Sequence, residues 1–213
     1  MAKKQVKPFF ISFEGIDFSG KSSMLRAVKA WIQENVSNGV VNSNEPGGTE
    51  VGVELRQVLL KEREEIYHPL SELFTFMALR HQNVHNFIVP NLELGNIVLM
   101  DRFVDSSYAM QYYAGDVSEA DYLAVEEMTL KGFRPDLVIY LDICPTESFK
   151  RQTDEERRKD RIEKKGIDYH HDVREGFLKR FESMPETSLI LDGTLPMFDN
   201  LVKIATVLEE RFL

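Results

Sequence analysis

Between Gly15 and Ser22 the sequence reads GIDFSGKS: a glycine, four residues, then Gly20, Lys21 and Ser22. In that spacing each residue type has a use. Glycines let successive backbone N–H groups converge on an anion, Lys21 adds a mobile positive charge for outer phosphates, and the Ser22 hydroxyl is a ligand for magnesium. If a helix starts at Lys21, its N-terminal dipole favours the same anion. Asp101 follows directly on the apolar run IVLM. An acid there can hold magnesium through water, and its bland alternative is a surface Asp that ends a strand. A phosphate held by such a loop is either hydrolysed to drive a switch or passed to a second molecule.

Three further clusters bear on that choice. Asn44-Glu45-Pro46-Gly47-Gly48-Thr49 is followed by Arg56. Phe76 and Arg80 are four apart, hence on one face of a helix. Asp101-Arg102-Phe103-Val104-Asp105-Ser106-Ser107 is followed by Gln111. Taken singly, each has an ordinary reading. Phe76 reads as core on periodicity alone, Arg80 as a solvated helix residue, and Arg56 and Arg102 as exposed arginines paired with nearby acids. Asp17 reads as a carboxylate capping the loop.

The elements that must position these residues are legible as alternation of apolar runs and helical periodicity. Strands are expected at residues 8–13, 39–43, 97–100, 137–141 and 188–191. Leu25, Val28, Trp31, Ile32 and Val36 have helical spacing, and helical stretches are expected over 71–89, from Ser118 to near Gly132, and through Phe198, Leu201, Ile204, Ala205 and Leu208. Ser118-Glu-Ala-Asp is close to a capping box. Apolar strands separated by helices imply an α/β fold, a parallel sheet covered on both faces. In such a sheet the C-terminal ends of the strands line the ligand crevice.

The 213 residues suit one domain, and 43% hydrophobic residues suffice for a sizeable core. Twenty-six basic against 35 acidic residues give a net charge of -9. That balance argues against a nucleic-acid partner but not against a small anion met by locally gathered basic residues. Cys144 is the one cysteine, which excludes an intrachain disulfide and suits a cytoplasmic location. MAKKQVKPFF lacks the apolar stretch and cleavage site of a leader, and no segment has the length to span a bilayer, so no membrane role is expected.

In order, the chain offers FEGIDFSGKSS, NEPGGT, Phe76 with Arg80, DRFVDSSYAMQ, RPDLVIYLD from Arg134 to Asp142, DRIE from Asp160 to Glu163, and DGTLP from Asp192 to Pro196. The series resembles that of the bacterial-type thymidylate kinases, which phosphorylate dTMP to dTDP, and it covers nearly the whole chain. The resemblance implies a single P-loop kinase domain over 1–213. It would have a three-layer P-loop NTPase fold, a five-stranded parallel sheet flanked by helices and a short lid over about 150–165. It implies ATP as co-substrate, Mg2+ as cofactor held at Ser22 and Asp101, and a homodimer. Gly15, Asp17, Phe18, Ser19, Gly20, Lys21, Ser22 and Ser23 would then bind ATP. The dTMP would lie among Asp17, Pro46, Arg56, Phe76, Arg80, Arg102, Ser106, Ser107 and Gln111.

Those residue types fit a thymine nucleotide. A Phe ring stacks on the base. An arginine can only donate, so it pairs with the O4 acceptor of thymine and rejects the amino group of cytosine. Ser107 and Gln111 complement the remaining polar edge. By the same resemblance Arg56 and Arg102 meet the acceptor phosphate, Asp17 lies near the 3′-hydroxyl, and Lys21, Asp17 and Arg102 serve catalysis. Residues 150–165 carry 13 charges in 16, a solvated helix on the bland reading and the lid on the family reading. With no arginine in the phosphate loop, the lid must supply one, and Arg157, Arg158 and Arg161 are the candidates.

The chain departs from the family pattern at several places. Asn44 stands for an arginine, Phe18 for a small residue, Phe103 and Met110 for tyrosines, and Tyr112 for a glycine. Methionine at 110 is flexible where tyrosine would crowd the 2′ position, so looser sugar selectivity is expected. Other P-loop nucleoside or nucleotide kinases and nucleotide-driven switches remain alternatives, although a GTPase would need an Asn-Lys-x-Asp motif that the sequence lacks. His81-Gln82-Asn83-Val84-His85 resembles a zinc-protease helix without its glutamate. Its histidines read as surface or dimer residues, and His170 and His171 have no metal-site spacing.

Overall fold

The computed structural model describes residues 3–151 and 164–213. The lid candidates Arg157, Arg158 and Arg161, and the DRIE segment, lie outside the described residues. In chain order the elements are β1 (Phe10–Glu14), α1 (Lys21–Asn35), β2 (Val40–Asn44), α2 (Glu50–Leu60), α3 (Pro69–Asn83), a π-helical turn (Val84–Ile88), α4 (Val89–Glu93) and β3 (Ile97–Asp101). There follow α5 (Val104–Ser107), a second π-helical turn (Tyr108–Tyr113), α6 (Glu119–Leu130), β4 (Leu137–Asp142), α7 (Pro145–Phe149), α8 (Ile167–Glu182), β5 (Ser188–Asp192) and α9 (Met197–Arg211).

The strands form a five-stranded parallel sheet in the order β2-β3-β1-β4-β5, with Phe13 beside Asp101 on one side and Ile139 on the other. Side chains alternate between its faces. Ile11, Phe13, Leu99 and Ile139 pack against Leu25, Val28 and Ile32 of α1 and Ile204 and Leu208 of α9. Phe10, Val98 and Met100 face Leu73 and Met77 of α3 and Tyr122 and Val125 of α6. Val138 and Tyr140 meet Val173, Phe177 and Phe181 of α8. This is the expected α/β fold with helices on both faces. Of the central strands β1 is buried throughout and β3 and β4 all but at their last residues, but the edge strands β2 and β5 keep residues in solvent, because each has a neighbour on one side only.

All five strands were legible within two residues. Ser118 caps α6, accepting a bond from the Asp121 N–H at 3.1 Å, and the helix stops at left-handed Lys131 before Gly132. The stretch 71–89 is not one helix. Pro90 has no N–H to return to the carbonyl of Asn86, and its ring crowds that carbonyl. The ladder widens into the π-helical turn, keeping Val84 and Ile88 buried. The second π-helical turn carries Met110 and Gln111, and such turns recur at functional sites.

At the C-terminal edge of the sheet the strands end in Glu14, Asn44, Asp101, Asp142 and Asp192. From β1 the chain runs outward to β2 and returns through β3. It then crosses to β4 on the far side, so the crevice opens at the switch point beside β1. The packing of α8 on β4 underlies that crevice. Phe177→Ala removes a fully buried ring that lies 5.1 Å from Tyr140, and we expect it to cost about 3–5 kcal/mol in denaturant unfolding.

Candidate functional site

The loop from β1 to α1 wraps tightly. A Cβ on Gly15 would meet the Ser19 hydroxyl at 2.7 Å and the Leu141 carbonyl at 3.0 Å, so no larger residue fits. Gly20 is left-handed and hands over to Lys21, the first residue of α1. Phe18 also has a positive φ of 60°, a conformation costing roughly 1–2 kcal/mol for a non-glycine residue. Its ring turns away towards Phe149, 6.0 Å off. Buried Lys21 donates to the Ile16 carbonyl and lies 3.6 Å from Asp17. Burial and the neighbouring Arg102 lower its pKa.

The Ser22 hydroxyl donates directly to the Asp101 carboxylate. The two residues assigned to magnesium thus adjoin, one from the first turn of α1 and one from the end of β3. Two oxygen donors beside a phosphate loop are the donor set that magnesium accepts, the ion keeping its other positions for waters and phosphates. Ser23 is exposed, as Ser22 is, and accepts a bond from Arg26.

Arg102 has a φ of 72°. Its guanidinium donates to the Gly15 carbonyl at 2.9 Å, the Ser106 hydroxyl at 3.0 Å and Asp17 at 2.5 Å. Burial alone would raise the Asp17 pKa, but Arg102 and Lys21 outweigh it and hold the carboxyl at about 2. Arg102 is raised in turn, Asp17 and Asp101 outweighing its burial.

Arg80 is not a solvated helix residue. It is 1% exposed. It donates through Nε to Glu45 at 2.7 Å, through Nη1 to Ser107 at 2.9 Å and to the Met77 sulfur at 3.3 Å, and through Nη2 to the Phe103 carbonyl at 2.9 Å. Glu45 also accepts from Asn83. Burial pushes the Glu45 carboxyl up, and Arg80 and Asn83 pull it back. Phe76 is a core residue and more: it packs with Leu59 and Leu79 and shows its remaining surface to a cavity. Gln111 donates to Glu72 at 3.1 Å, which fixes its carboxamide. Arg56 donates to the Pro46 carbonyl at 2.6 Å.

These residues bound one space. Asp17, Pro46, Arg56, Phe76, Arg80, Arg102, Ser106, Ser107, Met110 and Gln111, with Glu45 and Leu60, surround a cavity of about 110 Å³. A second, polar cavity lies between Lys21, Ser22, Asn44 and Asp101. The two cavities share Glu45, Arg56 and Arg102. A smaller pocket therefore adjoins a larger polar crevice, with two guanidinium groups at the join.

Several supporting residues escaped the sequence reading. Glu14 and Glu72 are buried acids that orient Ser106 and Gln111. Arg180 of α8 bridges Asp105 and Glu126, each at 2.8 Å, and anchors α5. Arg151 donates to the Ser19 and Gly193 carbonyls, tying the phosphate loop to the turn after β5. The available signal was an acid inside or at the end of an apolar pattern, as at Glu14. The histidines form no metal group among the described residues. His81 and His85 sit exposed with rings 4.4 Å apart, and His170 is buried against Phe149.

Because the folded value for Asp17 lies below the ordinary value of 3.8, its ionised form contributes stability above that value and loses it as pH falls towards 2. We expect Asp17→Asn to be less stable than the parent by about 2 kcal/mol at neutral pH, with the gap narrowing steadily below roughly pH 4. Urea unfolding of both proteins across that range measures it.

Residues 13–204 match the family model described as thymidylate kinase. Thymidylate kinase from Thermoanaerobacter sp. (strain X514) is 39% identical over 188 residues, covering 88% of this chain and 91% of the relative. That from Sulfurihydrogenibium sp. (strain YO3AOP1) is 32% identical over 203 residues, covering 95% and 98%. The crystal structure of thymidylate kinase from Ehrlichia chaffeensis superposes with a TM-score of 0.74 at 27% identity, covering 95% of this chain and 98% of that one. With a family model matching most of the chain and relatives above 30% identity over nearly all of it, this chain belongs to the thymidylate kinase family.

Proposed function

We propose that this chain transfers the γ-phosphoryl group of ATP to dTMP, giving dTDP and ADP for dTTP synthesis. The observation that carries the reading is the meeting of the two cavities at Arg56 and Arg102. Two nucleotides entering from opposite sides would bring their phosphates together there. ATP takes the side of Gly15, Gly20, Lys21 and Ser22, and dTMP the side of Phe76, Arg80, Ser107 and Gln111.

At the base end, Phe76 offers a ring face to thymine. A guanidinium has five N–H donors. Glu45, Ser107, Met77 and Phe103 take up four contacts from Arg80, leaving a donor for O4. A cytosine amino group would face that donor unpaired, an expensive arrangement in a buried site. At the phosphate end the acceptor is already an oxyanion, so alignment and charge neutralisation suffice and no strong base is required. Forked guanidinium groups suit the acceptor phosphate better than an ammonium does. Lys21 moves with the transferred charge, and Asp17 holds Lys21 and Arg102 in register while offering an oxygen to the 3′-hydroxyl.

Ser22 and Asp101 would hold magnesium, which when bound neutralises charge on the phosphates. A lid over about 150–165 would complete the site with Arg157 or Arg158, residues outside the described ones. One kinase domain spans 1–213 on this reading. A cytoplasmic setting agrees with the lone Cys144, and among the described residues no helix is long and apolar enough to cross a membrane.

The same reading includes a homodimer. Phe74, Ala78 and His81 on α3 lie beside Met128 and Thr129 on α6 in an open apolar groove. Phe74 is 47% and Met128 64% exposed, a grouping typical of a protein interface. Sedimentation should give twice the chain mass for the parent and a monomer for a Phe74→Glu, Met128→Lys double variant.

The activity is tested by ADP release across dTMP, dUMP, dCMP, AMP and the ribo form of dTMP. We expect dTMP to be preferred, Arg80→Ala to abolish its preference over dCMP, and the ribo form to be accepted better than by relatives with tyrosine at the Met110 position. Equal use of AMP and dTMP would overturn the assignment.

A further inference from the structure

Arg102 is a left-handed residue carrying a guanidinium that must point at a phosphate. A non-glycine residue there is strained and stays put only when its surroundings over-determine it. The restraint comes from β1. The Arg102 N–H donates to the Phe13 carbonyl at 2.9 Å. The next amide, Phe103 N–H, donates to the Glu14 carboxylate at 2.7 Å. The other Glu14 oxygen accepts from the Ser106 hydroxyl at 2.6 Å. Ser106 in turn accepts from the Arg102 guanidinium at 3.0 Å. One side chain therefore grips the backbone just after Arg102 and, through Ser106, the far end of its side chain.

We propose that Glu14 is a positioning residue for phosphoryl transfer, holding Arg102 and Ser106 in the geometry that meets the acceptor phosphate. It touches no substrate and acts through those two residues. The inference rests on the assignment of Arg102 to the acceptor side, made above.

An acid is a costly choice for such a position unless its lone pairs are used, since Glu14 is fully buried. Both oxygens are used. Burial, with the charge of Asp105 on α5 added, raises its pKa to about 8, while Ser106, Arg102 and the Phe103 amide oppose the rise. Lys21 from α1 and Tyr140 from β4 also face it. With both oxygens accepting, the carboxylate serves as a hydrogen-bonding fork, while the direct ion pair of Arg102 is with Asp17. An amide at this position keeps an oxygen for the Phe103 N–H but presents a donor where the Ser106 proton now goes.

Steady-state kinetics of Glu14→Gln, Glu14→Ala, Ser106→Ala and the Glu14→Gln, Ser106→Ala double variant test this, with folding checked by circular dichroism. For Glu14→Ala we expect kcat/KM for dTMP to fall about 10²-fold, as for other small misplacements of a reacting group. Glu14→Gln should lose about tenfold, with KM for ATP unchanged in both. The losses from Glu14→Gln and Ser106→Ala should overlap rather than multiply, because they act along one chain of bonds. Should Glu14→Ala fail to fold, the Glu14→Gln series decides alone. Parental kcat/KM for dTMP in Glu14→Gln, or equal rises in KM for both nucleotides, would overturn the positioning role. Failure of the unmodified protein to phosphorylate dTMP would instead overturn the functional assignment.

Discussion

A charged guanidinium is held between two cavities by three acceptors from two segments: the Gly15 carbonyl and Asp17 of the loop, and Ser106 of α5. Taking Arg102 out of water is costly and is offset only when the fork is nearly saturated. The demand for acceptors explains much of the local architecture. It requires the loop after β1 to turn back on itself, which Gly15 permits and a side chain would prevent. It requires β3 to end beside β1, so that Phe13 can take the Arg102 amide. It leaves Asp17 strongly acidic, which also places Lys21.

The Arg80 end of the cavity applies the same logic with a different balance. Arg80 has a full ionic partner in Glu45, and both are almost wholly buried. Such a pair adds little net stability, because desolvation consumes most of the attraction. It does fix geometry. With Nε on Glu45 and Nη2 on the Phe103 carbonyl, the guanidinium plane cannot swing, and Gln111 is fixed likewise by Glu72. A pocket whose donors cannot turn is one that can reject a wrongly substituted base. Phe103 links the two ends, since its amide is held by Glu14 and its carbonyl by Arg80. Phe103 thus ties the Arg102 end to the Arg80 end.

The strands and the phosphate loop were readable because they depend on short-range rules: apolar runs, a glycine spacing, a cap at Ser118. The breaks in the helices were not, although Pro90 was in view, because a π-helical turn reflects which side chains must be buried after the interruption. Arg80 is the instructive failure of local reasoning. Its spacing from Phe76 put both on one helix face, yet taken singly Phe76 read as core and Arg80 as solvated. Only the arrival of Glu45, thirty-five positions away, makes burial tolerable.

The sequence by itself determined which groups are available and how neighbours along the chain present them: the glycine cradle ahead of α1, Lys21 and Ser22 on its first turn, an acid at the end of β3. Those relations span a few residues and follow from backbone geometry. The tertiary structure alone decided which distant groups meet. The pairings of Arg102 with Asp17, Arg80 with Glu45 and Glu14 with Ser106 cross 85, 35 and 92 positions. Each joins charged or polar groups that are acceptable in the interior only together, so their roles exist only once the sheet has brought its strand ends side by side.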